Sequence, residues 1–458
     1  MTRECGHRGV PMAKRLPIVA CALVVLVAAC GSSSHASAPN QATTAPGTSG
    51  TLGVGVTPTE IHVGVALVDF NCIKPFVDGL RFNQDKVYQA FVDDVNQRGG
   101  INGRKLVATY KTYCPIQSAP ALAACTSLTE DSDVFAVMGT LADFSGDAQK
   151  CVTAQHKRVL LSQVVSQQEI SQAPPGLFIT PEVTPERRAA IVLALLKSQH
   201  TLDGKKIAVL GEQVTEERVH KVIEPGLKAL GLKLGTTAIL SISGTDTTAA
   251  QSQLDSFIER WKTEDINALF MVGDQVSHTQ FIQKVRAALP NLQLVGDTDA
   301  FGGYAQDENT AGVKPNPYEG ALTAEGLIGA QQDQTANWKE CAAIYHKETG
   351  KTVPGANNPP PLGGGKYDDT HGAVNDACED ITMFAAVATR AGKTLNDDTW
   401  QKTVNNYGSI PDMGVVYGSL HQGKYDADDT FGLAAFDSSV GPKGDWRAVT
   451  PVIDVSSG

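Results

Sequence analysis

The stretch QRGGINGRKL, residues Gln97–Leu106, joins two different hydrophobic patterns. Upstream, Gln84–Arg98 sets Val87, Phe91 and Val95 four residues apart, with Tyr88 widening the stripe, which is one face of a helix. Downstream, Leu106–Tyr110 reads as a strand. Between them, Gly99 or Gly100 takes the left-handed position that ends a helix, and Ile101 packs back on the last turn. Asn102–Gly103 is a tight turn that needs positive φ. So short a connection sends the chain back antiparallel to its helix and straight into a strand, which is the joint of a βαβ unit.

Working outward, the same alternation continues. Ile61–Val68 is a buried-strand run; Ala119–Glu130 is helical, Val134–Met138 apolar, Ser145–His156 helical and Val159–Leu161 apolar. After the extended, proline-punctuated LFITPEVTP (Leu177–Pro185), the series restarts. Helix Glu186–Ser198 precedes strand Lys206–Leu210; helix Glu216–Leu230, with Pro225 as a kink, precedes strand Ala238–Leu240. Two further helical faces (Leu254, Phe257, Ile258, Trp261; Phe281, Ile282, Val285, Leu289) alternate with strands Ala268–Val272 and Leu292–Val295. Strands alternating with helices predict parallel sheets, here in two α/β lobes of similar plan. Beyond Gly320 come helices Trp338–Thr349 and Val374–Gly392, separated by a Pro/Gly loop, Val353–Gly365, and then a β-like tail, Val415–Val455.

The 458-residue chain is acidic, with net charge −11. That disfavours nucleic acid and anionic membrane surfaces as partners. Its first 29 residues read as an export signal: Lys14 and Arg15, an apolar run Leu16–Leu26, then Val27–Ala28–Ala29–Cys30. Removing them takes away four basic residues and one acidic residue, which lowers the net charge to −14. Residues 30–58 read as a disordered tether, since Gly31–Thr57 carries no Asp, Glu, Lys or Arg. By Gly/Ser-rich scaling its reach is roughly 30 Å. Six cysteines remain besides Cys30: Cys72, Cys114, Cys125, Cys151, Cys341 and Cys378. An even number in an exported chain reads as disulfides, and none forms a C-x-x-C metal or redox motif.

EIHVGVALVDF (60–70), VYQAFVDDVNQRGGINGRKLVATY (87–110), DVFAVMGTL (133–141), KKIAVLGEQ (205–213) and INALFMVGDQVSHTQFIQKVR (266–286) together resemble the type I periplasmic binding proteins. The nearest group is the leucine/isoleucine/valine-binding kind that serves ABC importers. VAAC resembles a lipobox, which implies lipid on Cys30. The fold implied is two Rossmann-like lobes with parallel sheets joined by three crossing strands. Lobe 1 would be 59–181 and 326–431, and lobe 2 would be 182–325 and 432–458. Hinges would fall near Ile179–Pro185, Tyr318–Gly326 and Thr430–Ala434. In a sheet of order 2-1-3-4, right-handed crossovers set the helices bearing Cys125 and Cys151 side by side. Cys72 and Cys114 follow adjacent strands, and Cys341 and Cys378 lie on successive helices, so those three pairs are expected.

Motifs for nucleophilic, zinc or phosphate chemistry are not found in the sequence. GGGK (Gly363–Lys366) lacks the phosphate-loop spacing, and TDAFGGYAQDEN (298–309) lacks calcium-loop spacing and reads as a surface loop. No catalytic residue, metal or cofactor is expected. The resemblance implies instead a cleft at the carboxyl ends of the strands. There Asp143 stands where relatives carry a carboxylate-binding serine, with Ser145 in the same loop. Ser162 and Ser166 follow the fourth strand, and Ser166 matches a threonine contact of the family. In the second lobe Glu216 and Glu217 replace a tyrosine–glycine, Asp274 and Gln275 replace an aromatic pair, and the acid that grips a ligand ammonium falls at Asp297–Asp299. Asp143 equally fits a helix N-cap, and Glu216 and Glu217 equally fit first-turn acids.

The resulting expectation is a monomeric, extracytoplasmic lipoprotein. It captures a small polar ligand (amino-acid, amide or polyol-like) and hands it to ABC permease subunits. A ligand sensor of the same fold, or a two-lobe enzyme of glycosyltransferase-like plan, are the alternatives. Replacing the lipid-bearing residue, Cys30→Ser, is expected to move the protein from the membrane pellet to the soluble fraction; unchanged fractionation refutes the anchor.

Overall fold

A computed structural model describes residues 51–143, 146–163, 165–242, 247–297, 300–410 and 415–456. Cys30, Ser145 and Asp299, and most of the expected tether, lie outside them. Residues 51–58, assigned above to the tether, are instead part of the fold. Val56 is buried, and the Gly53 N–H donates to the Leu395 carbonyl. Leu52 and Val56 supply the apolar surface that makes this packing favourable.

The opening stretch folds as its glycines require. The helix Gln84–Gln97 ends with the Gly99 N–H on the Asn96 carbonyl and the Gly100 N–H on that of Val95, a Schellman closure. Gly99 and Gly100 have φ of 100° and 69°. A Cβ on Gly100 would sit 2.0 Å from the Arg104 carbonyl oxygen, so no other residue fits there. Ile101 and Arg104 exchange backbone hydrogen bonds around Asn102–Gly103, both at positive φ, as in a two-residue hairpin turn. The Asn96 side chain then clips the Leu106 backbone through both its N–H and its carbonyl group.

Strands β1 (Glu60–Val68), β2 (Gly79–Leu80), β3 (Lys105–Tyr113), β4 (Ala136–Gly139), β5 (Val159–Leu161) and β6 (Phe178–Ile179) begin the chain. All but β2 form a parallel sheet in the order β3-β1-β4-β5-β6. Then β7 (Lys206–Glu212), β8 (Lys233–Leu240), β9 (Ala268–Val272), β10 (Gln293–Gly296) and β11 (Leu322–Glu325) lie in a second sheet in the order β11-β10-β9-β7-β8. Helices Ala336–Thr349 and Thr370–Ala391 return to the first lobe and pack on the helix Gln84–Gln97. Between them β12 (Pro361–Gly363) and β13 (Lys366–Asp368) form a hairpin on β2, so GGGK is a glycine turn. After β14 (Gly408–Ile410) and β15 (Gly418–Leu420), the tail adds β16 (Thr430–Asp437), β17 (Asp445–Ala448) and β18 (Ile453–Asp454) to the second sheet's edge.

Another expectation fails. Over its described residues TDAFGGYAQDEN is not a surface loop, because Ala300–Thr310 is a helix. Phe301 and Ala305 are fully buried on one face of it, and that burial outweighs the low propensity of Gly302 and Gly303. Gly302 is also where Trp446 packs, with Nε1 2.7 Å from where a Cβ would stand. The helix expected over Glu216–Leu230 is interrupted at Val219–Ile223 by a wider π turn, just ahead of Pro225, which has no N–H to continue the ladder.

The chain crosses between sheets beside a buried charge network. Thr180 is bridged to Asp426, whose carboxylate accepts from the Thr184 N–H. Arg187 and Lys424 each pair with Asp426 and Asp429, and all four are nearly or fully enclosed. The three expected disulfides are formed: Cys72–Cys114, Cys125–Cys151 and Cys341–Cys378, with Cα separations of 5.8, 6.3 and 5.9 Å. Removing the second by Cys125→Ala and Cys151→Ala frees a loop of 26 residues. A stability loss of about 2–4 kcal/mol in urea unfolding is expected from loop-closure entropy.

Candidate functional site

In a doubly wound sheet, ligands meet the carboxyl ends of the strands. At that end of the second sheet three adjacent strands finish in or beside an acid: β7 in Glu212, β9 two residues before Asp274, and β10 one residue before Asp297. Asp297 is fully buried and accepts from the Gly273 N–H at 3.1 Å. Its other oxygen lies 3.1 Å from Arg218 Nε, a close ion pair off the alignment of a hydrogen bond. Glu212 accepts from the Gln275 N–H. Gly273 takes a φ of 109°, which favours glycine, and a Cβ there would also crowd the Glu212 carboxylate at 2.1 Å.

Burial pushes Glu212 up to about 7, and the charge of Asp274 adds to the shift. Asp297 is pushed up to about 6, again chiefly by burial, with Arg218 opposing. Like charges raise one another's affinity for protons when water is excluded. Burial keeps the hydroxyl of Tyr304, on the helix Ala300–Thr310, protonated to high pH, and the charges of Asp274 and Glu212 add to this.

The first lobe presents its own acids. Tyr113 Oη donates to the Thr140 carbonyl and accepts from the Ala142 N–H, fixing the loop that bears Asp143. Asp143 accepts at 3.1 Å from the N–H of Asp147, the first residue of the helix Asp147–Lys150, whose N-cap is Gly146; the capping role the sequence allowed for Asp143 is not what it performs. Ser166 caps the helix Gln167–Gln172 in a reciprocal box with Glu169. Burial raises the Glu169 carboxyl, and Glu186 and Asp143 raise it further. Glu186, at the start of the helix Pro185–Gln199 on the second sheet, accepts from the Gln167 N–H at 2.9 Å and lies 4.0 Å from Arg218. One connected set of charges therefore runs from Asp143 and Glu169 in the first lobe through Glu186 to Arg218, Asp297, Asp274 and Glu212 in the second. Ser162, at the end of β5, is fully buried, and its hydroxyl has no hydrogen-bond partner among the described residues.

The sequence reading named Asp143, Ser162, Ser166, Asp274, Gln275 and Asp297, and all stand at strand ends or in the loops that follow them. Glu216 sits at the start of the short helix Glu216–Arg218, about half exposed, with His220 as its partner. The acid beside Asp274 is Glu212. It went unnamed because β7 runs two residues past the expected Leu210. Glu169, Glu186 and Arg218 were missed as well, since the sequence offers only ordinary helix-start residues there. A cavity of about 190 Å³ opens at the ends of β1 and β3, lined by Asp69, Phe70 and Arg81. Arg81 is pinned by Asp369 and Asp376. A larger cavity of about 670 Å³ lies among the helices of the first lobe beside Cys341–Cys378 and includes none of these acids.

Because the folded pKa of Glu212 is raised, the stability it contributes is present below its ordinary value of 4.5 and is lost as pH rises through about 7. Asp297 acts in the same direction. The melting temperature is therefore expected to fall between about pH 5 and pH 8. Glu212→Gln should flatten that slope and stabilise the protein at about pH 8 by roughly 1–3 kcal/mol. An unchanged slope in this variant would show that Glu212 does not carry it.

A family model described as periplasmic binding protein matches residues 83–414. No curated protein matches the chain. Among solved structures, it is similar to an ABC transporter substrate-binding protein from Desulfitobacterium hafniense in complex with Leu. The identity is 14% over 85% of this chain and 100% of that chain, with TM-score 0.60. It is similar to a solute-binding protein of an ABC transporter from Rhodopseudomonas palustris BisB5 in complex with 3,4-dihydroxy benzoic acid (14%, 86% and 98%, TM-score 0.59). It also resembles a fatty acid ABC transporter substrate-binding protein from Thermomonospora curvata (15%, 89% and 95%, TM-score 0.60). At such identities the likeness carries the fold, whereas the family match extends over more than two thirds of the sequence. With two parallel α/β sheets, strand-end loops turned toward one seam and that match, the chain belongs to the type I periplasmic binding proteins, a family of extracytoplasmic solute binders.

Proposed function

We propose that this protein is the lipid-anchored receptor of an ABC importer, holding a small polar solute between its lobes and passing it to the permease. It acts as a monomer, tethered through Cys30, and performs no catalysis. Lobe 1 comprises 59–181 and 326–431, and lobe 2 comprises 182–325 and 432–458; closure about the crossings captures the ligand.

The observation that carries this reading is the seam itself. Asp143, Glu169, Glu186, Glu212, Asp274 and Asp297 are gathered along it, with Arg218 beside Glu186 and Asp297. A ligand with an amine, amide or several hydroxyls relieves the repulsion among them, and the unpartnered Ser162 hydroxyl offers a further hydrogen bond. A dicarboxylate adds to the repulsion. Amino-acid, amide and polyol-like solutes therefore fit this seam better than acids do.

A thermal-shift panel of amino acids, amines, amides, polyols, sugars, aromatic acids and dicarboxylates tests the reading, since a ligand that binds only the folded state raises the melting temperature. Stabilisation is expected from a compound bearing an amine, amide or several hydroxyls. For a cationic hit, Asp274→Asn should weaken binding by about tenfold, the equivalent of one lost charge contact of roughly 1.4 kcal/mol. A panel in which only dicarboxylates or aromatic acids stabilise the protein overturns the proposal.

A further inference from the structure

The segment 353–369 is unusual in composition and in what it touches. It holds Pro354 and the run Pro359–Pro360–Pro361, which stiffens the backbone, followed by the glycine turn. Its base belongs to the first lobe. Asp333 accepts from the Ala356 N–H and pairs with His371, whose ring lies 4.1 Å from that of Trp338. The hairpin is also fixed there: β13 pairs with β2, the Tyr367 and Asp369 N–H groups donate to the Asp78 and Leu80 carbonyls, and Lys366 binds the Val77 carbonyl and the Asp78 carboxylate.

Two of its side chains, Asn357 and Tyr367, meet the second lobe. Lys443, in the turn between β16 and β17, sets its ammonium 3.4 Å from the centroid of the Tyr367 ring. Asn357 donates to the Asp445 carboxylate at 2.8 Å. Both Lys443 and Asp445 are more than nine-tenths buried, although each is a charged residue at a strand turn. Asp307, on the helix Ala300–Thr310, is close enough to feel Asp78, Lys366 and Lys443 together. A buried ammonium over an aromatic face gains from the ring quadrupole, and a buried carboxylate needs a donor. The segment supplies both, and it does so across the lobes.

We propose that residues 353–369 form an interlobe strap, in which Tyr367 and Asn357 of the first lobe grip Lys443 and Asp445 of the second and hold the lobes together without ligand. The strap acts outside the acidic seam, on the equilibrium between open and closed arrangements. It rests on the two-lobe reading of the chain and on no particular ligand.

Small-angle scattering of the purified, ligand-free protein tests it, with circular dichroism to establish that each variant is folded. Tyr367→Leu removes the aromatic face, Lys443→Met removes the charge at similar length, and Asn357→Ala removes the donor. Tyr367→Leu and Lys443→Met should each shift the scattering curve toward a larger radius of gyration, and combining them should add little. Tyr367→Phe, which keeps the ring, should scatter as the wild type does. Asn357→Ala should open the lobes to a smaller degree, and it decides the matter together with Lys443→Met if Tyr367→Leu does not fold. Folded Lys443→Met and Asn357→Ala proteins that scatter like the wild type overturn the strap, as does opening by Tyr367→Phe equal to that of Tyr367→Leu. These outcomes are separate from the ligand panel, whose failure would leave the scattering result standing.

Discussion

Burying like charges beside one another is costly, and this protein does so where its two sheets present their carboxyl ends. Glu212, Asp274 and Asp297 sit at the ends of three neighbouring strands, with Arg218 shared between Asp297 and Glu186. Burial first, and then the neighbouring charge of Asp274, makes Glu212 and Asp297 hold their protons to unusually high pH, with Arg218 opposing. The local backbone is shaped around this cluster. Gly273 keeps the space that a Cβ would take from the Glu212 carboxylate, and its N–H serves Asp297. Such an arrangement lowers stability where a more apolar cluster would not, which is the ordinary signature of a functional site.

The two lobes resist deformation in different ways. All three disulfides join elements of the first lobe, from the loops after β1 and β3 to the pair of returning helices. There, buried Asp380 also ties Tyr88 to the Gly139 N–H, and its carboxyl is pushed up to about 8 by burial and then by Asp376, Tyr88 opposing. The second lobe relies on apolar packing across its sheet, from Val209, Phe270 and Val295 on one side to Leu210, Met271 and Phe281 on the other. Between the lobes, Arg187 and Lys424 meet Asp426 and Asp429 in a nearly closed environment. Hydrogen bonds from Thr184 and Ser419 occupy the remaining carboxylate oxygens, which makes such a network tolerable and sets the register of the crossing.

Local patterns in the sequence were enough for much of this. The glycines and asparagine after Gln97 permit only a helix stop and a hairpin turn, and the alternation of apolar runs with amphipathic stretches dictates parallel sheets. The Cys125–Cys151 pair followed once the sheet order was taken as 2-1-3-4, because handedness then puts their helices side by side, while the other two pairs followed from adjacent strands and from successive helices. What was not legible depends on distant partners. Gly302 argues against a helix until Trp446, more than a hundred residues later, is seen to need its space. Asp426 and Asp429 look like solvated acids until Arg187 reaches them. Glu212 was hidden by a strand only two residues longer than its apolar core, and residues 51–58 by a polar context that concealed Leu52 and Val56.

In the function proposed above, the seam and the proposed strap oppose each other, and their difference sets how the lobes behave. Bringing the lobes together concentrates carboxylates around Arg218 and disfavours closure. Engaging Tyr367 with Lys443, and Asn357 with Asp445, favours it through groups that no ligand in the seam needs to touch. A two-state equilibrium responds to a ligand only through the difference in its affinity for the two states. If the strap dominated, the cleft would stay shut and solute entry would be slow; if the seam dominated, each binding event would bear the full cost of gathering the acids. A balance between them leaves the ligand the last part of the neutralisation, supplied by its own donors. Charge at the seam then governs which solute binds, while contacts at the strap govern how much of the protein is already closed to receive it.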